Sequence, residues 1–159
     1  MKSPQDLADY LQSRSIEAEI IALPGDTRTV DQAAAALGVP ADRIVKSLLF
    51  LAAGQPVLAV ACGLERIDTR RLAGNLGISK RNISLAGSEQ VRSLTGYEVG
   101  SVPPVGHAPE IRVLVDPAVL EFETVYAGGG APDRMLRLSP QAILLESGAQ
   151  VADLQAPRG

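Results

Sequence analysis

Val45-Lys46-Ser47-Leu48-Leu49-Phe50-Leu51, then Ala53-Gly54-Gln55-Pro56, then Val57-Leu58-Ala59-Val60-Ala61, is the stretch that decides the fold. Residues 44–51 and 57–61 are apolar, β-rich runs on either side of a glycine- and proline-bearing turn, which is the pattern of a hairpin. Apolar side chains fall on both faces, so the hairpin is expected at the centre of the domain, buried on both sides. Lys46 is the exception. By alternation it shares a face with Leu48 and Phe50, while Val45, Leu49 and Leu51 point the other way. Two roles fit a lysine there. Its stem can pack while the amine reaches solvent, or the amine can be a fixed cation that grips a phosphate or polarises a carbonyl.

Upstream, Ser3 is placed to cap a helix with Pro4 at its first position and Asp6 three residues after the cap. That helix is expected to end near residues 13–15, with a short strand over 17–23 and a turn at Pro24-Gly25-Asp26. Thr29 and Gln32 form a second capping pair, and Gly38 closes that helix. Downstream, Asp68 caps a third helix that ends at Gly77, and Ser88 caps a short one that ends at Gly96. Further strands are expected over 83–85, 111–115, 122–127 and 135–138, with Ser139-Pro140 opening a last helix and a frayed tail over 155–159. Adjacent strands outnumber βαβ units. The expected fold is therefore α/β (α+β mixed): a single domain over 1–159 with a central, largely antiparallel mixed sheet flanked by helices.

The 159 residues are 46% hydrophobic, enough for one real core, and carry a net charge of −3. Disorder is excluded, and no apolar run reaches the ~20 residues of a membrane helix. A uniformly basic nucleic-acid binder is also excluded, although a local basic patch is not. One cysteine (Cys62) and one histidine (His107) make neither an internal disulfide nor a Cys/His metal site. The opening Met1-Lys2-Ser3-Pro4-Gln5-Asp6 has no apolar signal core, so a reducing cytoplasm is the expected location.

Few segments besides Lys46 are candidates for chemistry. Gly100-Ser101-Val102-Pro103-Pro104-Val105-Gly106-His107 is a stiff loop that can aim backbone N–H groups at a developing oxyanion, or serve only as a crossover between strands. Gly128-Gly129-Gly130 matches neither GxGxxG nor a P-loop; it reads as a tight turn or as a second backbone wall around a small ligand. His107 is either a general base or orienting donor, or a structural histidine. Cys62 reads as a small buried hydrophobe. Arg66, Arg70, Arg71, Lys80 and Arg81 are opposed within residues 66–81 only by Asp68. That segment fits a solvated helix face or contact with a phosphate backbone.

Taken together, the ordered pieces resemble the YbaK family, the prolyl-tRNA-synthetase-associated editing domains. They are Ala35-Ala36-Leu37-Gly38-Val39, Arg43 to Phe50 around Lys46, Leu72-Ala73 with Leu76-Gly77, and Thr95-Gly96-Tyr97. The loop 100–106, Val113-Leu114-Val115-Asp116, and Phe122 to Tyr126 with Gly128-Gly129-Gly130 complete the set. The resemblance implies an aminoacyl-tRNA deacylase that hydrolyses mischarged tRNA in trans. The ester would carry a small amino acid such as Ala, Ser, Cys or Thr, with proline tRNA as the expected carrier. Such a second sieve is needed because a synthetase pocket rejects similar or smaller side chains by only about 1–3 kcal/mol.

By the same resemblance, Lys46 holds the substrate without acting as nucleophile, and the backbone around Gly100, Ser101 and Gly106 meets the ester. Ser47, Pro103, Pro104 and His107 fall in the same substrate region, Gly128 and Gly129 line the pocket, and Thr27 and Thr29 stand at its mouth. Arg66, Arg70, Arg71, Lys80 and Arg81 are the expected tRNA contacts. Mischarged tRNA is the expected partner, with an aminoacyl-tRNA synthetase as a second, and no metal or cofactor is expected. Ser47 departs from the Thr of cysteinyl-type members and the Asn of alanyl-type ones, and the loop and the segment after Tyr126 also depart from the cysteinyl type. Because no residue is an unmistakable nucleophile or base, a module that binds an aminoacyl end or a synthetase without hydrolysis is the alternative.

Overall fold

The hairpin forms around β2 (Val45–Ala52) and β3 (Gln55–Cys62), paired antiparallel from Val45 opposite Cys62 to Ala52 opposite Gln55. Ala53 (φ 49°) and Gly54 (φ 82°) make the two-residue turn. Both are left-handed, as the twist of a tight hairpin requires. The computed structural model describes residues 1–63 and 65–156.

β2 and β3 lie inside a five-stranded ladder. β4 (Ile83–Leu85) pairs antiparallel with the far end of β2, while β5 (Arg112–Val115) and β8 (Gln150–Val151) extend the other edge in parallel. A second ladder is antiparallel throughout, in the order β1 (Ala18–Ala22), β7 (Arg134–Leu138), β6 (Val125–Gly128). The two ladders meet at a single parallel bridge, Ile44 to Tyr126. The result is the expected mixed, largely antiparallel sheet with helices around it, divided at one seam.

Burial follows the alternation. Val45, Leu49, Leu58, Val60 and Cys62 enter one core with Leu7, Leu136 and Ile143; Phe50, Ala52, Val57 and Ala59 enter another with Leu72 and Leu154. The helices start and stop where the caps dictate. α1 (Pro4–Ser13) has the reciprocal Ser3–Asp6 box, and α2 (Val30–Leu37) has Thr29 with Gln32 and the left-handed Gly38. α3 (Thr69–Leu76) has Asp68 as its cap and α5 (Pro140–Ser147) has Ser139. α4 (Ser88–Thr95) is capped one residue earlier than expected, at Gly87, whose N–H is held by the Gln90 side chain at 2.8 Å.

Two further expectations are corrected. The expected strand over 122–127 starts later, because Pro117–Glu121 first makes a 3-10 turn capped by Asp116. The C-terminal segment is not frayed at Gln155, which is 8% exposed. Its Nε2 donates to the Cys62 and Glu65 carbonyls at 2.8 and 3.0 Å, and Asp116 Oδ2 accepts from the Leu154 and Gln155 N–H groups. Residues 157–159 of that expected tail lie outside the described residues. Among the described residues, no helix is long and apolar enough to cross a membrane.

Candidate functional site

The seam between the ladders opens the site. β2 pairs with β4 only over Phe50–Ala52, and toward β6, which lies beside it, the bridge is Ile44 to Tyr126 just before β2 begins, so Val45 to Leu48 form no ladder on that edge among the described residues. A cleft of 510 Å³ occupies the gap. Its lining combines Val45, Lys46, Ser47 and Leu48 of β2, Val99, Gly100 and Val102 of the proline-rich loop, Gly128 of β6, and Asp26, Arg28, Thr29 and Gln32 from the start of α2 and the loop before it.

Lys46 is half-buried, and burial alone holds its ammonium below the usual lysine range. Its Nζ donates a hydrogen bond to the Arg28 carbonyl. That same stretch of Arg28 lies against Gly100: a Cβ on Gly100 would stand 2.9 Å from Arg28 Cβ and 3.3 Å from its carbonyl oxygen. Gly100 also has φ +87°, so a side chain there is excluded both by strain and by space. Arg28 is fixed in turn by Asp26, with Nη2 to Oδ2 at 2.7 Å. The lysine that lines the cleft and the glycine of the proline-rich loop are thus brought together across one backbone carbonyl.

The loop after Gly100 rests on the glycine run. A Cβ on Gly128 would come within 2.4 Å of the Val102 carbonyl oxygen, and the Gly130 N–H donates to the Ser101 carbonyl at 3.0 Å. Behind the loop, His107 Nε2 sits 2.6 Å from the Pro103 carbonyl oxygen. A carbonyl only accepts, so Nε2 carries the proton and Nδ1, buried and unpartnered among the described residues, does not. His107 meets Tyr97 edge-on at 6.2 Å, and burial lowers its pKa. These contacts leave the Gly100 and Val102 N–H groups, both on cleft-lining residues, with no hydrogen bond among the described residues. The Ser101 N–H is taken by the Glu98 carbonyl at 3.0 Å.

The sequence-derived residues therefore divide. Lys46, Ser47, Thr29, Gly100 and Gly128 come together in the cleft, and the Ser47 hydroxyl is buried there with no partner among the described residues. Thr27 is placed elsewhere: its N–H and Oγ1 both donate to the Pro132 carbonyl, at 2.7 and 3.0 Å. Ser101, Pro103, Pro104, Gly106 and His107 lie outside the cleft lining. Gly106 packs on Tyr10, and a Cβ on Gly129 would collide with the Arg134 backbone at 2.7 Å. Sequence reasoning did not single out Asp26, Arg28, Gln32 and Val99 as site residues. The Asp26–Arg28 charge pair inside a loop was the only local signal.

On the Leu48–Phe50 side of Lys46 lies a second hollow, of 530 Å³. Its floor is apolar and its rim includes Asp31, Glu65 and Arg66. Arg70, Lys80 and Arg81 are exposed and, like Arg66, form no ion pair among the described residues. Arg71 differs, being paired with Asp153 at 2.6 Å and Asp68 at 3.7 Å. No group of three or more metal-ligating side chains occurs among the described residues.

The aminoacyl-tRNA editing domain profile matches residues 24–144, which include the whole lining of this cleft. The uncharacterized protein YwhH of Bacillus subtilis (strain 168) is 33% identical over 128 residues, 80% of each chain. A proline–tRNA ligase of Nitratidesulfovibrio vulgaris (strain Hildenborough) is 38% identical over 114 residues, 72% of this chain. The match spans only 19% of that ligase. The crystal structure of "a putative trans-editing enzyme for prolyl tRNA synthetase" superposes with a TM-score of 0.89 at 34% identity, covering 99% of both chains. By its sequence, its fold and the family match across its cleft, the chain belongs to the aminoacyl-tRNA editing domain family, the YbaK-like deacylases.

Proposed function

We propose that the protein acts in trans on tRNA mischarged with a small amino acid, proline tRNA being the expected carrier, and hydrolyses the ester that joins the two. One observation carries this reading: one 510 Å³ cleft is lined both by Lys46 and by a loop whose Gly100 and Val102 N–H groups form no hydrogen bond among the described residues. The incoming substrate replaces the Arg28 carbonyl as the partner of Lys46, which then holds the ester end in place. Water adds to the ester carbonyl carbon. The oxygen that becomes negative is met by the two N–H groups, which form no hydrogen bond among the described residues and so have no partner to give up. The acyl C–O bond breaks, the ribose oxygen takes a proton, and the amino acid and a free 3′ end leave. Ser47, Val99 and Val102 line the cleft, and the Ser47 hydroxyl, without a partner among the described residues, offers a small side chain one hydrogen bond.

The test is deacylation of tRNAs carrying Ala, Ser, Cys or Thr, by wild type and Lys46→Ala, with a chelator present. The reading expects wild type to release one class of amino acid and the variant to lose that release. Charged tRNA bound in a Lys46-dependent way with nothing released would favour the binding-module alternative.

A further inference from the structure

We infer that the second hollow seats the terminal adenine of the charged RNA, so that Lys46 stands between base and ester. This deepens the editing reading and rests on it. The two hollows share Thr29, Lys46 and Leu48. A substrate whose ester lies in the first therefore has its ribose at Lys46 and its base directed to the second.

The floor of the hollow suits a base. Leu48, Phe50, Ala61, Ile67 and Leu85 line the hollow on the sheet face that α3 covers in part, through Leu72 and Leu76. Leu85 is 62% exposed, a large apolar side chain left in water three residues after the Lys80–Asn82 turn. Apolar lining of this kind is where the π-face of a base is desolvated. The rim supplies edge contacts. Carboxylates at Asp31 and Glu65 accept from an exocyclic amine, and the Arg66 guanidinium donates to a ring nitrogen. Adenine carries both kinds of group. Arg70, Lys80 and Arg81, which form no ion pair among the described residues, then face the phosphates of the preceding nucleotides. Since every tRNA ends in the same adenosine, this seat reads the end of the molecule and not its identity.

The experiment compares two substrates, mischarged tRNA with its terminal adenosine and the same tRNA with an abasic terminal nucleotide, on wild type and Leu85→Glu. Wild type should favour the adenine-ended substrate in kcat/KM by about tenfold or more, the scale of one base stacked on protein. Leu85→Glu should bring that ratio close to one. Leu85 is exposed, so the variant should fold, and a thermal melt checks it; Leu85→Phe, which enlarges the stacking surface, should keep or raise the ratio. A wild-type ratio near one, or a ratio retained in Leu85→Glu, overturns the seat and leaves the editing reading standing. If wild type hydrolyses neither substrate, the same comparison is made by binding of the two uncharged RNAs. An adenine preference lost in Leu85→Glu then keeps the seat and discards the editing reading. No preference discards both.

Discussion

Gly128→Ala tests the loop geometry with one methyl group. Gly128 is in β6 and its φ is not left-handed, so alanine is not excluded by its backbone angles. The obstacle is space. The new Cβ would lie 2.4 Å from the Val102 carbonyl oxygen and 2.8 Å from the Ser101 and Val102 carbonyl carbons. Ordinary contact begins near 3.4 Å, so the loop must retreat by about 1 Å. It cannot retreat freely, because the Gly130 N–H and His107 hold it from two other sides. Overpacking of this kind costs about 1–3 kcal/mol of stability. The larger effect falls on the reaction. A donor displaced by about 1 Å loses on the order of a hundredfold in rate. Since the Val102 N–H is proposed to act on the transition state, the loss should appear in kcat, with KM for charged tRNA within about twofold. The assay is steady-state deacylation beside a thermal melt. Gly74→Ala is the control: nothing lies within 4 Å of its Cβ and it sits inside α3, so it should gain about 0.5–1 kcal/mol with unchanged turnover. Wild-type kcat in Gly128→Ala would refute the loop's role in the reaction.

Three further predictions concern His107, the cations and Asp116. Burial lowers the His107 pKa, so below its ordinary value of 6.5 the unfolded chain binds more protons than the folded one; stability should fall as pH drops from that value, and His107→Gln should flatten the slope in thermal melts between pH 5 and 7.5. Lys80→Glu with Arg81→Glu should weaken tRNA binding and make its logarithmic salt dependence shallower by about 0.7–0.9 per lost phosphate contact, whereas Arg71→Ala, already paired with Asp153, should lower Tm and leave the salt slope unchanged. Asp116→Ala strands the N–H groups of Ala118, Leu154 and Gln155, held now at 2.9, 2.9 and 3.0 Å; a loss of about 3 kcal/mol or more in denaturant unfolding is expected, and a loss under 1 kcal/mol would contradict the role of this carboxylate as a latch.

What was legible in the sequence was local. The β2–β3 hairpin, the Ser3–Asp6 and Thr29–Gln32 caps and the face of Lys46 follow from spacing alone, because alternation and capping act over a few residues. What was not legible joins distant parts of the chain. Thr27 turns inward because its partner is the carbonyl of Pro132, 105 residues away. Arg71 looks like a free cation until Asp153, 82 residues on, is placed beside it. Gln155 has the composition of a loose tail, yet Asp116 and the Cys62 carbonyl anchor it. The same limit divided the proline-rich loop. Composition marked all of it for chemistry, but only Gly128 beneath it and Arg28 beside it decide that Gly100 and Val102 face the cleft while His107 braces the back.

The most direct test of the central claim is single-turnover deacylation of alanine-charged, serine-charged, cysteine-charged and threonine-charged proline tRNA by wild type and Lys46→Ala, with binding of the same tRNAs measured in parallel. The account predicts release of at least one of these amino acids by wild type, and in the variant both weaker binding of that tRNA and a rate lower by about a hundredfold or more. Release by Lys46→Ala at the wild-type rate would contradict it.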